Sequence, residues 1–331
     1  MIRIFLNQFF KSFSEKNKER FKSYLDNYVR NPALFEELLL IYNFKNKWRD
    51  KIGYSIKKER YKIIEYNITK NNTGIKIEVK LLHRFITSIP PYETKSIEKC
   101  EYIIFLKKSL FSYKIVDLYN KEYYPALYNK VKNESFNYLD EKNNNISFLR
   151  DNIKINYWRR LLKDIDNIFL NFNTKKDNLS SYRSVRKYDV NKAISYSKKY
   201  ALTYNPIYKS FNDSGGDCTN FISQCLYAGN LPKTYTWKPY SPAWIRVNSL
   251  YDYLTTNRYG KVLKNAAYNE GNILQFYSNN KGIFSHSAII TKVLSNNNCL
   301  FCCHSFDRLD YPLSELYPLI YNKLRYIEII F

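Results

Sequence analysis

One stretch of ten residues limits the fold more than any other: Gly215-Gly216-Asp217-Cys218-Thr219-Asn220-Phe221-Ile222-Ser223-Gln224. Its two adjacent glycines allow a turn in which the backbone can approach a ligand closely. Asp217 is a favourable helix N-cap, and we expect its carboxylate to accept the backbone N–H groups of Thr219 or Asn220. Apolar residues then recur at helical spacing until Gly229, a natural stop. The pattern predicts a helix that begins at Cys218.

The position of Cys218 admits two interpretations. The partial positive charge at a helix N-terminus favours a thiolate over a thiol, and the thiolate is the nucleophile. The alternative is a small core residue, because most unpaired cysteines are simply packed. The stretch alone does not choose between a catalytic and a packed cysteine, so the rest of the chain must decide.

Charge and composition limit the classes of partner that the chain can be expected to bind. Its 331 residues are enough for two domains, and its net charge is +23. Such a charge favours a polyanion such as nucleic acid or an anionic cell-wall polymer. However, the excess is spread over both halves and accompanies a general bias toward Lys, Asn, Ile and Tyr. No nucleic-acid-binding motif is present, so we expect no nucleic-acid partner.

The six cysteines do not form a disulfide framework, and a chain of this size does not need one. Cys299 and Cys302 form the one CxxC pair, but no second ligand pair for zinc is apparent. We therefore expect neither a metal nor a cofactor. The apolar N-terminus is interrupted by polar residues and resembles no signal peptide, and no stretch is apolar enough for a transmembrane segment. These features leave the localisation unknown: cytoplasmic, or released by a non-classical route.

The N-terminal part predicts an accessory α+β domain over residues 1–170. Residues 15–50 have helical periodicity interrupted by Pro32, and period-two segments follow. The segment 71–74 is a plausible hairpin turn. A helix packed on a curved sheet, as in nuclear-transport-factor-like folds, is one candidate, but no catalytic group is apparent. A polar linker is predicted over 171–184, followed by a second domain over 185–331.

The second domain contains two of the three histidines of the chain. We predict three strands, over 271–277, 286–293 and 299–305. A hairpin folded at Ser295 would set His286 opposite His304, where directly paired side chains are close enough to interact. This places a histidine pair on a sheet beside the helix of Cys218.

A cysteine nucleophile needs a base, and the base needs an orienting group. Cys218, His286 and His304 could take these roles in that order, although each histidine taken alone could be a satisfied polar residue at a sheet end. Asp307 is a rival orienting group. The backbone N–H of Cys218 is one candidate oxyanion donor. Further supporting or oxyanion candidates are Asp217, Tyr204, Asn205 and Tyr208. The candidates for stacking on a substrate are Trp237 and Trp244. These two tryptophans could equally pack beneath the long loop over 231–244.

The long core from Gly215 to Gln224 resembles the putative amidase domain of Gram-positive bacteria. Further matches in order are Tyr188, Asn205-Pro206, Gly229, Trp237, Trp244, Gly271-Asn272-Ile273, His286-Ser287-Ala288-Ile289-Ile290 and His304-Ser305-Phe306-Asp307. The resemblance covers about residues 184–328. More distantly, it extends to the NlpC-type and CHAP-type cell-wall hydrolases, which have a papain-like fold. Asn230 and Asn272 depart from the residues common in these families.

The resemblance implies a papain-like cysteine amidase or endopeptidase that cleaves amide bonds in peptidoglycan or related peptides. It implies Cys218 as nucleophile, His286 as base and His304 as the third polar residue. Two alternatives remain open. The same groups could serve an acyltransferase, or the chain could be a non-catalytic module that binds the cell wall or a polyanion.

Overall fold

The computed structural model describes residues 2–72, 74–109, 112–133, 144–174, 187–212, 214–264, 266–294 and 297–331, with the side chains of 144–150 outside the description. The chain divides into two compact units. One comprises residues 1–88 and 99–169, and the other comprises 89–98 and 170–331. The strands belong to a ten-stranded antiparallel sheet. The predicted α+β class is confirmed.

The N-terminal part contains six helices and four strands among its described residues. In chain order they are α1 (Ile2–Ser12), α2 (Lys18–Tyr28), α3 (Pro32–Lys51), β1 (Ser55–Lys70), β2 (Ile75–Ile89), β3 (Tyr92–Lys108), β4 (Tyr113–Asn120), α4 (Pro125–Asn133), α5 (Asn144–Lys163) and α6 (Ile165–Phe172). The predicted turn between β1 and β2 is confirmed: Asn71 N–H donates to the Gly74 carbonyl, and Gly74 N–H donates to Asn71 Oδ1.

Local sequence signals set the ends of these helices. Asn17 precedes α2 and its side chain accepts the Arg20 N–H, while Asn31 precedes α3 and accepts the Ala33 N–H. Each asparagine therefore satisfies a backbone donor that has no partner within its helix. Pro32 stands at the first position of α3, where its missing N–H costs no hydrogen bond. The predicted helix break at Pro32 is confirmed for this reason.

A buried polar network lies inside the N-terminal unit. Lys154 Nζ contacts Glu37 Oε2 at 2.8 Å and Asp117 Oδ1 at 3.2 Å. Tyr124 Oη donates to Glu37, and Trp158 Nε1 donates to Tyr124 Oη. Burial alone would lower the pKa of Lys154, but the two carboxylates raise it well above its ordinary value. The ammonium group is therefore a charged structural element of this core.

The C-terminal part contains four α-helices and six strands among its described residues. They are α7 (Val190–Tyr200), α8 (Cys218–Ala228), α9 (Pro242–Ile245), α10 (Val247–Thr256), β5 (Gly260–Leu263), β6 (Ile273–Ser278), β7 (Ile283–Val293), β8 (Cys299–Cys303), β9 (Arg308–Pro312) and β10 (Leu324–Ile329). The strands lie in the order β9-β8-β7-β6-β10-β5. The predicted linker 171–184 falls mostly outside the described residues.

Helix α8 is the centre of this unit. Every residue from Cys218 to Leu226 is buried. Phe221, Ile222 and Cys225 share a hydrophobic core with Ile289 of β7 and with residues of the neighbouring strands. The burial of α8 on all sides fixes the direction in which its N-terminus, and hence Cys218, points. Among the described residues, the structure contains no helix with the length and apolarity needed to cross a bilayer.

Candidate active site

Cys218 is the first residue of α8, as the sequence predicts. Gly215 and Gly216 before it have φ values of +110° and +111°, a backbone region that side chains other than glycine rarely adopt. A Cβ on Gly216 would lie 3.1 Å from Ser305 Oγ. The two glycines thus allow the turn that leads into the helix. Among the described residues, the Cys218 N–H has no hydrogen-bond acceptor.

Asp217 stands at the N-cap position of α8, as the sequence predicts, but its carboxylate does not accept the backbone N–H groups of Thr219 or Asn220, and that part of the expectation is wrong. Its φ and ψ of −105° and 1° differ from the extended conformation of a usual cap, and no backbone N–H of α8 bonds to its side chain. Instead the carboxylate accepts the Phe211 N–H at 2.8 Å and the Asn220 Nδ2 at 2.8 Å. Its second oxygen lies 2.7 Å from His304 Nδ1. Asp217 therefore joins the glycine turn to α8 and to His304.

His304 lies beyond the end of β8 and contacts α7 and α8. Its Nε2 lies 2.8 Å from the Tyr200 carbonyl oxygen, and its Nδ1 bonds to Asp217. The ring stacks on Phe221 with centroids 4.0 Å apart. Both ring nitrogens therefore have partners, and neither partner is His286.

The predicted opposition of His286 and His304 is wrong in its register. Ile289 pairs with Cys302 and Ile290 pairs with Phe301, and a bulge then shifts the pairing by one residue before Lys292. A turn centred on Ser295 would have required a regular ladder. The bulge and the early end of β8 therefore place His304 outside the pairing.

His286 has an apolar environment. Its ring contacts Phe276, Phe306 and Tyr321, and its buried Nε2 has no hydrogen-bond partner among the described residues. Burial, with a smaller contribution from the charge of Arg308, lowers the pKa of His286 to about 3. The imidazole is therefore neutral at physiological pH, with a nitrogen able to exchange a proton.

The sulfur of Cys218 lies against β7. The Ser287 backbone N–H donates to this sulfur, and Thr219 Oγ1 lies 3.8 Å from it. Burial raises the pKa of the Cys218 thiol above its ordinary value, although these contacts oppose the rise. The resting residue is therefore a neutral thiol rather than the thiolate that a helix N-terminus alone would favour.

Ser287 is the chain neighbour of His286, so the sulfur lies one residue along β7 from the predicted base. Ser287 Oγ faces Thr219 of α8 at 3.4 Å, and because side chains alternate along a strand, His286 projects from the other side of β7. No hydrogen bond joins Cys218 to His286 in the described part of the chain.

Among the described residues, Tyr204 packs beside His304, whereas Asn205 and Tyr208 contact other aromatic side chains. Tyr204 packs on the His304 ring at 4.2 Å and donates to Asp307 Oδ1 at 3.0 Å. Asn205 Nδ2 donates to Tyr196 Oη. Tyr208 stacks on Trp244. The hydrogen bonds of Tyr204 and Asn205 therefore engage these side-chain donors away from Cys218.

Trp237 and Trp244 do not offer a stacking surface, which corrects the prediction that they bind substrate. Both side chains are fully buried. Trp237 Nε1 donates to Ser223 Oγ, and Trp244 Nε1 donates to Asn220 Oδ1. The apolar area and the single N–H donor of each indole are used to pack the long loop onto α8.

Sequence reasoning missed Ser305, whose Oγ accepts the Asp217 N–H at 2.5 Å. Ser305 and Phe306 both have positive φ, which turns the chain sharply after His304. It also missed Ser287 and Thr219, the two residues that contact the sulfur. The clue for Ser305 and Ser287 was their position directly after a candidate histidine.

The structure thus combines a cysteine at a helix N-terminus, a glycine turn before it and a histidine-bearing strand against its sulfur. Comparison with protein-family models extends this observation. Residues 187–327 match the putative amidase domain. The putative amidase domain therefore includes α7, α8 and the strands up to β10. The resemblance found in the sequence is confirmed over this range.

Two relatives from Bacillus subtilis (strain 168) are similar to the chain. The uncharacterized protein YjcM is 33% identical over 164 residues, which cover 44% of this chain and 38% of the relative. The uncharacterized protein YhbB is 26% identical over 155 residues, covering 42% of this chain and 48% of the relative. The chain thus matches less than half the length of either relative. No solved structure matches the chain.

Proposed function

We propose that the putative amidase domain is a cysteine-dependent amide hydrolase of papain-like arrangement, with Cys218 as nucleophile and His286 as base. The observation that supports this most is the contact between the Cys218 sulfur and the Ser287 N–H, one residue from an unpartnered histidine. In the described structure the His286 imidazole projects from the other side of β7. Catalysis by this pair therefore requires a change in β7 on substrate binding that brings the imidazole to the sulfur.

The resting state of the pair determines the order of events. The Cys218 pKa is raised and the His286 pKa is lowered, so the pair begins as thiol and neutral imidazole. His286 takes the thiol proton as the sulfur attacks the amide carbon, and the carbonyl electron pair moves to its oxygen. We propose that the Cys218 N–H donates to that oxyanion.

Two further steps complete hydrolysis. The protonated His286 gives its proton to the amide nitrogen as the carbon–nitrogen bond breaks, which releases an amine and leaves a thioester on Cys218. Water then attacks the thioester with His286 as base, and the acid product leaves as the thiol re-forms. No metal or cofactor is required in this sequence.

We propose amide bonds of peptidoglycan or related peptides as the substrate, because the domain family is described as an amidase and the resemblance extends to cell-wall hydrolases. The N-terminal segment, residues 1–170, would be an accessory domain, with a nuclear-transport-factor-like fold as a candidate. Its three N-terminal helices and four strands are compatible with that fold.

The test is digestion of purified muropeptides, followed by mass spectrometry of the products. Cys218→Ala should abolish hydrolysis because it removes the nucleophile. Cys225→Ala is the matched control, since Cys225 lies on the same helix and is also buried. Equal activity of wild type and Cys218→Ala would refute the proposal. A product joined to an added amine would instead identify an acyltransferase.

A further inference from the structure

The hydrogen bonds of Asp217 and His304 limit the charges that the pair can carry. The Asp217 carboxylate accepts from two fixed donors, the Phe211 N–H and the Asn220 amide, in addition to its contact with His304 Nδ1. Two fixed donors favour the ionised form of a carboxylate. Asp217 is the acceptor in both of these contacts.

The other nitrogen of His304 has an equally clear requirement. Its partner is the Tyr200 carbonyl oxygen, which can only accept. Nε2 must therefore carry a proton. If Asp217 is ionised, Nδ1 must carry one as well, and the two residues then form a buried ion pair with no net charge.

Few other titratable groups face this pair. Tyr204 packs on the His304 ring, and its hydroxyl donates to Asp307. Cys303 precedes His304, and its thiol donates to the Phe306 carbonyl. Cys218 follows Asp217 directly, and the charge of Asp217 disfavours its thiolate.

We propose that His304 is a positioning residue that acts through Asp217, holding the glycine turn on α8 and neutralising the carboxylate directly before Cys218. This differs from the family-based expectation that His304 orients His286. The proposal rests on the proposed function only in the sense that Cys218 is the nucleophile. Its test needs no substrate, so the two proposals can fail independently.

The reason for a neutral pair is electrostatic. An uncompensated carboxylate next to a buried thiol opposes formation of the thiolate, because the interior screens charge poorly. An imidazolium that bonds to the same carboxylate cancels most of that field at the sulfur. Loss of the imidazolium alone should therefore slow every reaction of the Cys218 thiolate, whereas loss of both charges together should not.

The experiment is a double-mutant cycle read by iodoacetamide labelling of the full chain. The labelling rate of Cys218 is followed against pH by peptide mass spectrometry, which separates it from the other cysteines. His304→Asn keeps an amide donor near Asp217 but removes the charge. Asp217→Asn removes the carboxylate charge, and its amide can donate to a neutral His304 that still donates to Tyr200. The double variant removes both charges.

We expect His304→Asn to label about tenfold more slowly than wild type at pH 8, which corresponds to about one unit in the thiol pKa. Asp217→Asn and the double variant should label within about threefold of wild type. If His304 were only structural, the Cys218 of the double variant would be labelled no faster than that of His304→Asn. That outcome, or wild-type labelling of His304→Asn, would overturn the proposal.

A measurement on the wild-type chain covers the case in which a variant does not fold, as judged by its thermal melt. Long-range ¹H–¹⁵N NMR spectra distinguish an imidazolium from either neutral tautomer by the shifts of the two ring nitrogens. We expect both nitrogens of His304 to be protonated at pH 7. A neutral His304 ring would overturn the assignment.

Discussion

His286 should make the C-terminal unit sensitive to acid. The native state keeps this histidine neutral down to a pKa of about 3, because its imidazole is buried among aromatic rings. The same residue in the unfolded chain has an ordinary pKa of 6.5. Between these two values the unfolded state binds a proton that the native state does not bind. The free energy of unfolding therefore falls as pH falls through this window.

The size of the effect follows from the two pKa values. From pH 8 to pH 5, His286 alone should remove about 2 kcal/mol of stability, and by pH 4 about 3 kcal/mol. Above about pH 7 the contribution is constant, because the residue is neutral in both states. Since total stabilities are commonly about 5–15 kcal/mol, the loss is large enough to measure.

The assay is urea unfolding at pH 8 and pH 5, followed by the fluorescence of tryptophan. His286→Gln does not titrate, so its loss of stability between the two pH values should be smaller than that of wild type by about 2 kcal/mol. Phe306→Leu is the matched control, because it removes a ring that contacts His286 but no titratable group. It should lose as much stability as wild type between pH 8 and pH 5. Equal losses in wild type and His286→Gln would refute the argument that His286 is buried in the neutral form.

Two further predictions concern packing. Lys154→Met should destabilise the N-terminal unit by about 3–5 kcal/mol, because Glu37 and Asp117 would remain buried without their cation. A loss below about 1 kcal/mol in urea unfolding would contradict a charged lysine at this position. Gly229→Ala should cost about 1–3 kcal/mol, since its Cβ would lie 2.4 Å from a ring carbon of Tyr188. Thermal melts of the variant test this, and an unchanged melting temperature would show that the ring can move aside.

Signals that lie close together in the sequence predicted local structure well. The start of α8 at Cys218, its end before Gly229, and the turn at 71–74 all follow from residues within a few positions of the feature. The period-two segments also predicted strands in the N-terminal half, but not where these strands begin and end. For example, β3 begins at Tyr92, about ten residues before its strongly apolar segment. The charged residues in that first half obscured the alternation.

Features that depend on contacts between distant residues were not predictable. The bulge before Lys292 changes the register of β7 and β8, and no residue type there marks it. The partner of His304 is Asp217, 87 residues earlier in the chain. An N-cap motif predicts that the Asp217 carboxylate accepts backbone N–H groups of its own helix, but this carboxylate bonds instead to the Phe211 N–H, the Asn220 side chain and His304. The burial of Trp237 and Trp244 likewise depends on how the loop folds over α8.

The two buried indoles have a practical consequence. Trp244 bonds to Asn220, whose amide in turn bonds to Asp217, and Trp237 bonds to Ser223 one turn further along α8. A shift of this helix would therefore alter the polarity around both chromophores. The fluorescence of these tryptophans therefore reports on the position of the helix that carries Cys218, and it can be followed in real time without attaching a dye.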